Sequence, residues 1–181
     1  NKSVKIFLDG YMYRWTSAQK RIARGGYSDL SVQVSRHRIK ATDILKRNSL
    51  HIAVLYKQKK MVLQLAKYPS LINAEDKKKF TPLMYASYYG FHDLAKILLD
   101  NNAKLSTKAN PKCSMALKIV RERLAKLQPV EKFFSGNRRS NRYRYGYNRR
   151  QSVTVFSLAG YKNTAKLLEL YGNKINLSAC D

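Results

Sequence analysis

The residue types best suited to chemistry crowd into one stretch, from Arg138 to Arg150, where six arginines and three tyrosines fall within 13 residues. They are Arg138, Arg139, Arg142, Tyr143, Arg144, Tyr145, Tyr147, Arg149 and Arg150. Guanidinium forks grip phosphate oxygens bidentately, and tyrosine faces stack on unpaired bases. No acid stands between Glu131 and Glu169 to neutralise the run. Gly136, Gly146 and the interspersed Asn and Ser argue against a regular helix, so the stretch is expected to be an exposed loop or arm. Such an arm would enter RNA with little sequence preference, because counterion release supplies most of the affinity. Two other readings compete with it: a solvated insertion with incidental charge, and a hairpin edge lying against protein.

Elsewhere the reactive residue types are scattered. His37, His51 and His92 have no nucleophile, carboxylate or second histidine at ligand spacing, which disfavours a metal site or a catalytic base. Gly25-Gly26 lacks the Lys-Ser/Thr that a phosphate loop needs. The 11 acids form no conspicuous pair. Cys113 and Cys180 stand far apart, which suggests neither a zinc module nor a disulfide framework and leaves inert thiols in a reducing compartment as the expectation. No catalysis, cofactor, metal or small-molecule substrate is expected.

Charge is the outlying bulk property. Thirty-six Lys and Arg stand against 11 acids in 181 residues, a net charge of +25. That calls for a polyanionic partner: nucleic acid first, then an anionic membrane surface, then an acidic protein groove. A generally lysine-rich proteome is the bland alternative. No apolar run approaches the ~18 residues of a membrane span. A first residue of Asn1 suits removal of an organellar targeting peptide, or a trimmed tail.

The scaffold that must position these groups is a repeat. Asp43 and Asp76, Leu50 and Leu83, and Ala53 and Ala86 each stand at an offset of 33; Met61-Val62 and Leu94-Ala95, and Leu65 and Leu98, keep the same offset. Thr81 is a good N-cap and Pro82 a good first helical residue. Gly90 suits a turn at positive φ, and Leu94, Ile97, Leu98 and Leu99 form an apolar stripe at helical spacing. Asn102 replaces a terminal glycine. Thr81-Pro82-Leu83, Ala86, Gly90 and Asn102-Ala103 together resemble the ankyrin consensus, and Asn48-Ser49-Leu50-His51 is a looser version of it. Lys57 replaces the inter-helix glycine of the earlier unit, and Pro69 its terminal one.

Gly160, Ala165, Leu167, Leu168 and Gly172 match Gly90, Ala95, Ile97, Leu98 and Asn102 at an offset of 70. Two units would give 66, so one poorly matching unit around Met115 to Leu127 and an insertion are expected between. The resemblance implies an all-α fold, a short ankyrin-type solenoid of helix-turn-helix repeats with a basic loop insertion. Residues 1–42 would form a basic N-terminal segment and degenerate cap, with Ser17 to Arg24 helical. Repeats would occupy 43–128, the third degenerate; the insertion 129–150; and a C-terminal repeat 151–181.

The family binds macromolecules along inner helices and hairpin tips, and its repeats carry no chemistry of their own. Lys77, Lys78 and Lys79 fall at a tip, Tyr85 on an inner helix, and Arg36 and Arg38 in the basic N-terminal segment; all are candidate polyanion or partner contacts. The Arg/Tyr tract resembles the basic extensions of ribosomal proteins. The reading that follows is a non-catalytic component of a large ribonucleoprotein, a divergent mitochondrial ribosome first, contacting rRNA and neighbouring proteins. The matrix is the expected compartment, the cytoplasm the alternative. A second reading is an adaptor for an acidic protein, and a third a peripheral subunit of an anionic-membrane assembly.

Overall fold

A computed structural model describes residues 17–24, 41–107, 111–136, 158–174 and 178–179. Its elements are α1 (Ser17–Arg24), α2 (Ser49–Leu55), α3 (Lys59–Leu65), α4 (Pro69–Ile72), α5 (Pro82–Tyr88) and α6 (His92–Asp100). After these come β1 (Cys113–Ser114), α7 (Met115–Gly136), α8 (Leu158–Lys174) and β2 (Ser178–Ala179).

Each inner helix of the three units starts on a polar cap, and the caps keep the repeat. Asn48 accepts from the N–H groups of Leu50 and His51 at 3.0 Å. Thr81 Oγ1 accepts from Met84 N at 3.3 Å, and Ser114 Oγ from Leu117 N at 3.2 Å. Asn48, Thr81 and Ser114 follow one another at the repeat offset of 33. Each satisfies a donor that the first helical turn would otherwise leave unpaired.

The helix ends are as regular as the starts. After α2, Gln58 N bonds Ala53 O and Lys57 N bonds Val54 O; after α5, Phe91 N bonds Ala86 O and Gly90 N bonds Ser87 O. After α6, Ala103 N bonds Leu98 O and Asn102 N bonds Leu99 O. This paired closure requires a left-handed residue. Lys57, Gly90 and Asn102 supply it at φ of 54°, 65° and 66°. Lys57 therefore adopts the geometry of the glycine it replaces. Pro69, in contrast, opens α4, an added turn that buries Leu71 and Ile72.

The inner helices α1, α2, α5 and α7 pack in sequence, and α3, α6 and α8 form the outer layer. Between the layers lies one apolar core, in which Leu50, Ala53, Leu83, Ala86, Leu94, Leu98, Leu117, Val120 and Leu168 are buried. No single helix pair can hide its apolar face, so stacking makes this core continuous. Ile22 of the N-terminal helix joins it, and Gln19 Nε2 donates to Arg47 O at 2.9 Å.

The C-terminal part divides differently from the sequence expectation. α7 and α8 pack on each other as the inner and outer helices of one third unit. The offset of 70 is thus one repeat of 33 lengthened by 37 inside that unit, and the described residues of 151–181 supply its outer helix rather than a helix pair of their own. Ala165 and Leu168 are buried as Ala95 and Leu98 are. Gly160 and Gly172 lie within α8, whose helix runs on to Lys174, so neither acts as a turn or cap. The inserted part also begins later than residue 129, because α7 continues through Pro129 to Gly136.

β1 and β2 pair in parallel, Cys113 opposite Ser178. Cys113 is disulfide-bonded, contrary to the expectation of a free thiol. Cys180 is the chain's other cysteine and lies outside the described residues. The return of α8 along α7 brings β2 to β1, a closeness of remote segments that no local pattern announces.

Candidate interaction surface

Two tight turns precede α2 and α5, each built around a buried aspartate. Asp43 N bonds Arg47 O at 3.0 Å and Asp76 N bonds Phe80 O at 2.9 Å. The Asp43 carboxylate accepts from the N–H groups of Leu45 and Arg47 at 2.9 and 2.8 Å, and that of Asp76 from Lys78 and Phe80 at 2.8 and 2.9 Å. Lys46 and Lys79 take the strained position of each turn, at φ of 57° and 64°. The turns are tied together where Lys77 N donates to Leu45 O at 2.8 Å.

Negative charge is thereby turned inward. Asp43 Oδ2 accepts from Arg47 Nε at 2.7 Å, with Arg47 Nη2 at 2.6 Å as an ion pair outside hydrogen-bond angles. Asp76 Oδ2 accepts from the Tyr85 hydroxyl at 2.6 Å. Burial and this carboxylate push the Tyr85 phenol well above its usual range. Tyr85 also meets His51 edge-on at 5.8 Å and Phe80 at 5.4 Å. Its hydroxyl thus holds the turn, whatever its ring edge does for a partner.

His51 binds two consecutive units. Nε2 lies 3.1 Å from Phe80 O, and Nδ1 lies 3.2 Å from Asn48 N and 2.8 Å from Asn48 Oδ1; with the proton on Nε2 the ring donates to Phe80 O and accepts from Asn48 N. Burial lowers its pKa to about 4, which keeps the ring neutral at ordinary pH. The residue is a structural clamp.

Outside the turns sit the lysines. Lys46, Lys77, Lys78, Lys79 and Lys112 are all exposed. Among the described residues one acid forms an ion pair with them, Glu75, at 3.7 Å from Lys79. At the other end of the helices is an aromatic strip, with Tyr89 edge-on to Tyr88 at 5.1 Å and stacked on Phe91 at 5.5 Å. The Arg123 guanidinium lies 4.4 Å over the Tyr88 ring, and Lys57 Nζ 5.3 Å over Phe91. Tyr161 is fully buried beside them and donates to Tyr88 O at 2.8 Å. A cleft of about 330 Å³ opens there, lined by Lys57, Lys59, Phe91, His92, Asp93 and Asn163 among others.

Among the described residues no group of three or more metal-ligating side chains occurs, and no helix is long and apolar enough to cross a membrane. Of the residues singled out in the sequence, Lys77, Lys78 and Lys79 share one turn, and Tyr85 on α5 bonds to the aspartate of that turn. Arg36, Arg38 and the Arg138–Arg150 tract lie outside the described residues. Sequence reading missed Lys46 and Lys112, although each stands at the repeat offset of 33 from Lys79. It also missed Arg123, whose approach to Tyr88 is a tertiary contact with no local signal.

A family model described as ankyrin repeats in three copies matches residues 21–109. That part of the chain consists of ankyrin repeats. An ankyrin repeat protein of Acanthamoeba polyphaga mimivirus is 41% identical over 56 residues, which are 31% of this chain and 7% of that relative. The human ASB11 ankyrin repeat domain superposes with a TM-score of 0.48 at 20% identity, covering 60% of this chain and 49% of that one. The chain therefore spans a small part of the mimivirus protein and about half of the human domain. Ankyrin repeats make it a protein–protein interaction module.

Proposed function

We propose that this protein is a non-catalytic component of a large ribonucleoprotein, its stack docked on neighbouring proteins and its cationic surfaces holding RNA. The observation that carries the proposal is uncompensated positive charge. The net charge is +25, and the buried acids of the turns are spent on backbone N–H groups, Arg47 and Tyr85 rather than on the exposed lysines. Such a surface repels itself unless a polyanion covers it. A ribosome, that of a mitochondrion first, is the particle in which to look. The Arg138–Arg150 tract supplies the guanidinium and tyrosine faces suited to unpaired RNA.

Sedimentation of native extract tests this. The protein should travel with a large particle and be released by ribonuclease. Sedimentation as a small species, or with a particle that ribonuclease leaves intact, would overturn the RNA reading.

A second reading, an adaptor for an acidic protein, draws on the strip of Tyr88, Tyr89 and Phe91 with Arg123 above it. Aromatic and arginine side chains are the usual anchors of protein interfaces. Under this reading Tyr88→Ala abolishes partner capture that survives ribonuclease.

A further inference from the structure

Lys46, Lys79 and Lys112 occupy one position in three successive units, each at the repeat offset of 33 from the one before. All three are exposed. We propose that they form a cationic column along the tips of the stack that contacts the phosphate backbone of an RNA strand, independently of its sequence. The inference rests on the RNA reading above and assigns it residues outside the Arg/Tyr tract.

Two of the three positions are set alike by the backbone. Lys46 and Lys79 share a left-handed backbone inside turns closed by aspartate, and the bond from Lys77 N to Leu45 O fixes one turn against the next. Lys112 precedes β1 and the Ser114 cap, the third member of the cap series. Inner helices pack ~8–10 Å apart, which sets the spacing of the backbone that carries these lysines. Lys77 and Lys78 thicken the column at its middle. Buried Asp43 and Asp76 shape the turns without presenting carboxylates to a ligand.

Chemistry favours phosphate over an acidic protein. A protein interface takes its affinity from desolvated apolar and aromatic anchors. Among the described residues this edge offers one exposed large apolar side chain, Ile44. Phe80 and Tyr85 are packed on each other, half-buried, behind the lysines. Lysine is a flexible point charge without a planar fork. A row of lysines with no exposed aromatic face beside it therefore reads charge and spacing, not base identity.

The test compares two triple variants of equal charge. Asparagine tolerates positive φ, so Lys46→Asn, Lys79→Asn and Lys112→Asn together preserve the turns. The control is Lys67→Asn, Lys96→Asn and Lys166→Asn, exposed lysines outside the tips. Binding of a labelled RNA duplex and of poly-uridylate is measured across salt, with thermal melts confirming the fold. The column variant should lose about tenfold or more in affinity on both RNAs, its log–log salt slope falling by roughly 2–3; the control should lose less than about threefold.

Equal losses in the two variants would reduce the column to net charge and overturn the proposal. So would unchanged RNA binding in the column variant, while leaving the RNA reading intact. Absence of RNA binding by the wild type would remove both. Column-dependent binding of poly-glutamate without column-dependent RNA binding would assign the edge to an acidic protein instead.

Discussion

His51 and Tyr85 show how a single side chain in this fold can look like a site and serve as a joint. The ring of His51 spans two units, and burial is the largest influence on its proton. Unfolded, it titrates at 6.5; folded, at about 4. Between those values the unfolded chain binds the extra proton, so stability rises with pH there and is lost as pH falls from 6.5 toward about 4. The full effect is on the order of 3 kcal/mol. Thermal melts at pH 7 and pH 5 should show a clear drop for the wild type. His51→Gln should melt lower at pH 7 yet change little between the two. An equal pH response in both proteins would place the acid sensitivity elsewhere. At Tyr85, the hydroxyl bonded to Asp76 makes a matching case. Tyr85→Phe leaves a buried carboxylate oxygen short of a donor and should cost about 1–3 kcal/mol in denaturant titrations.

At the scale of the element, the same closure ends α2 with Lys57 and α5 with Gly90. A left-handed backbone costs an L-residue ~1–2 kcal/mol. Lys57→Gly should therefore raise stability by up to about 1 kcal/mol, the lost contact with Phe91 offsetting part of the gain. Gly90→Ala should do the reverse and worse. Besides the backbone strain, its Cβ would meet the Tyr161 ring at 3.0 Å, and that ring is fully buried. A loss of ~2–3 kcal/mol is expected, read as a lower midpoint in urea. These turns also mark what was legible in the sequence. Thr81-Pro82, Ala86, Gly90 and the stripe from Leu94 to Leu99 act locally, so residue type and spacing alone announce two units. The third unit lacks a Thr-Pro start, and its cap, Ser114, stands alone. Its outer helix is displaced by an insertion of 37, so that one interrupted unit reads in the sequence as a degenerate unit and a separate C-terminal one. The lysine column was visible in principle, but only once Lys112 had been placed in register with Lys46 and Lys79.

Across the whole molecule, the third unit is the one that depends on distant chain segments. In a solenoid each unit gains its stability from its neighbours, and α7 and α8 pack on α5 and α6 along one side. The stretch 137–157 separates the two helices. Bringing them together therefore carries a larger loop-closure cost than the short turns at Lys57 and Gly90. The bond at Cys113 acts against that cost, because a cross-link over a long loop restricts the unfolded chain. Reduction should therefore destabilise the C-terminal unit first, by roughly 2–4 kcal/mol. The change should appear as an early transition in which Tyr161 loses its buried environment while α2 to α6 stay folded. Cys113→Ser should reproduce that early transition and be insensitive to added reductant. If the wild type melts identically with and without reductant, packing of α8 on α6 and α7 holds the unit closed by itself. The caps and turns of the first two units would then account for the cooperativity of the stack.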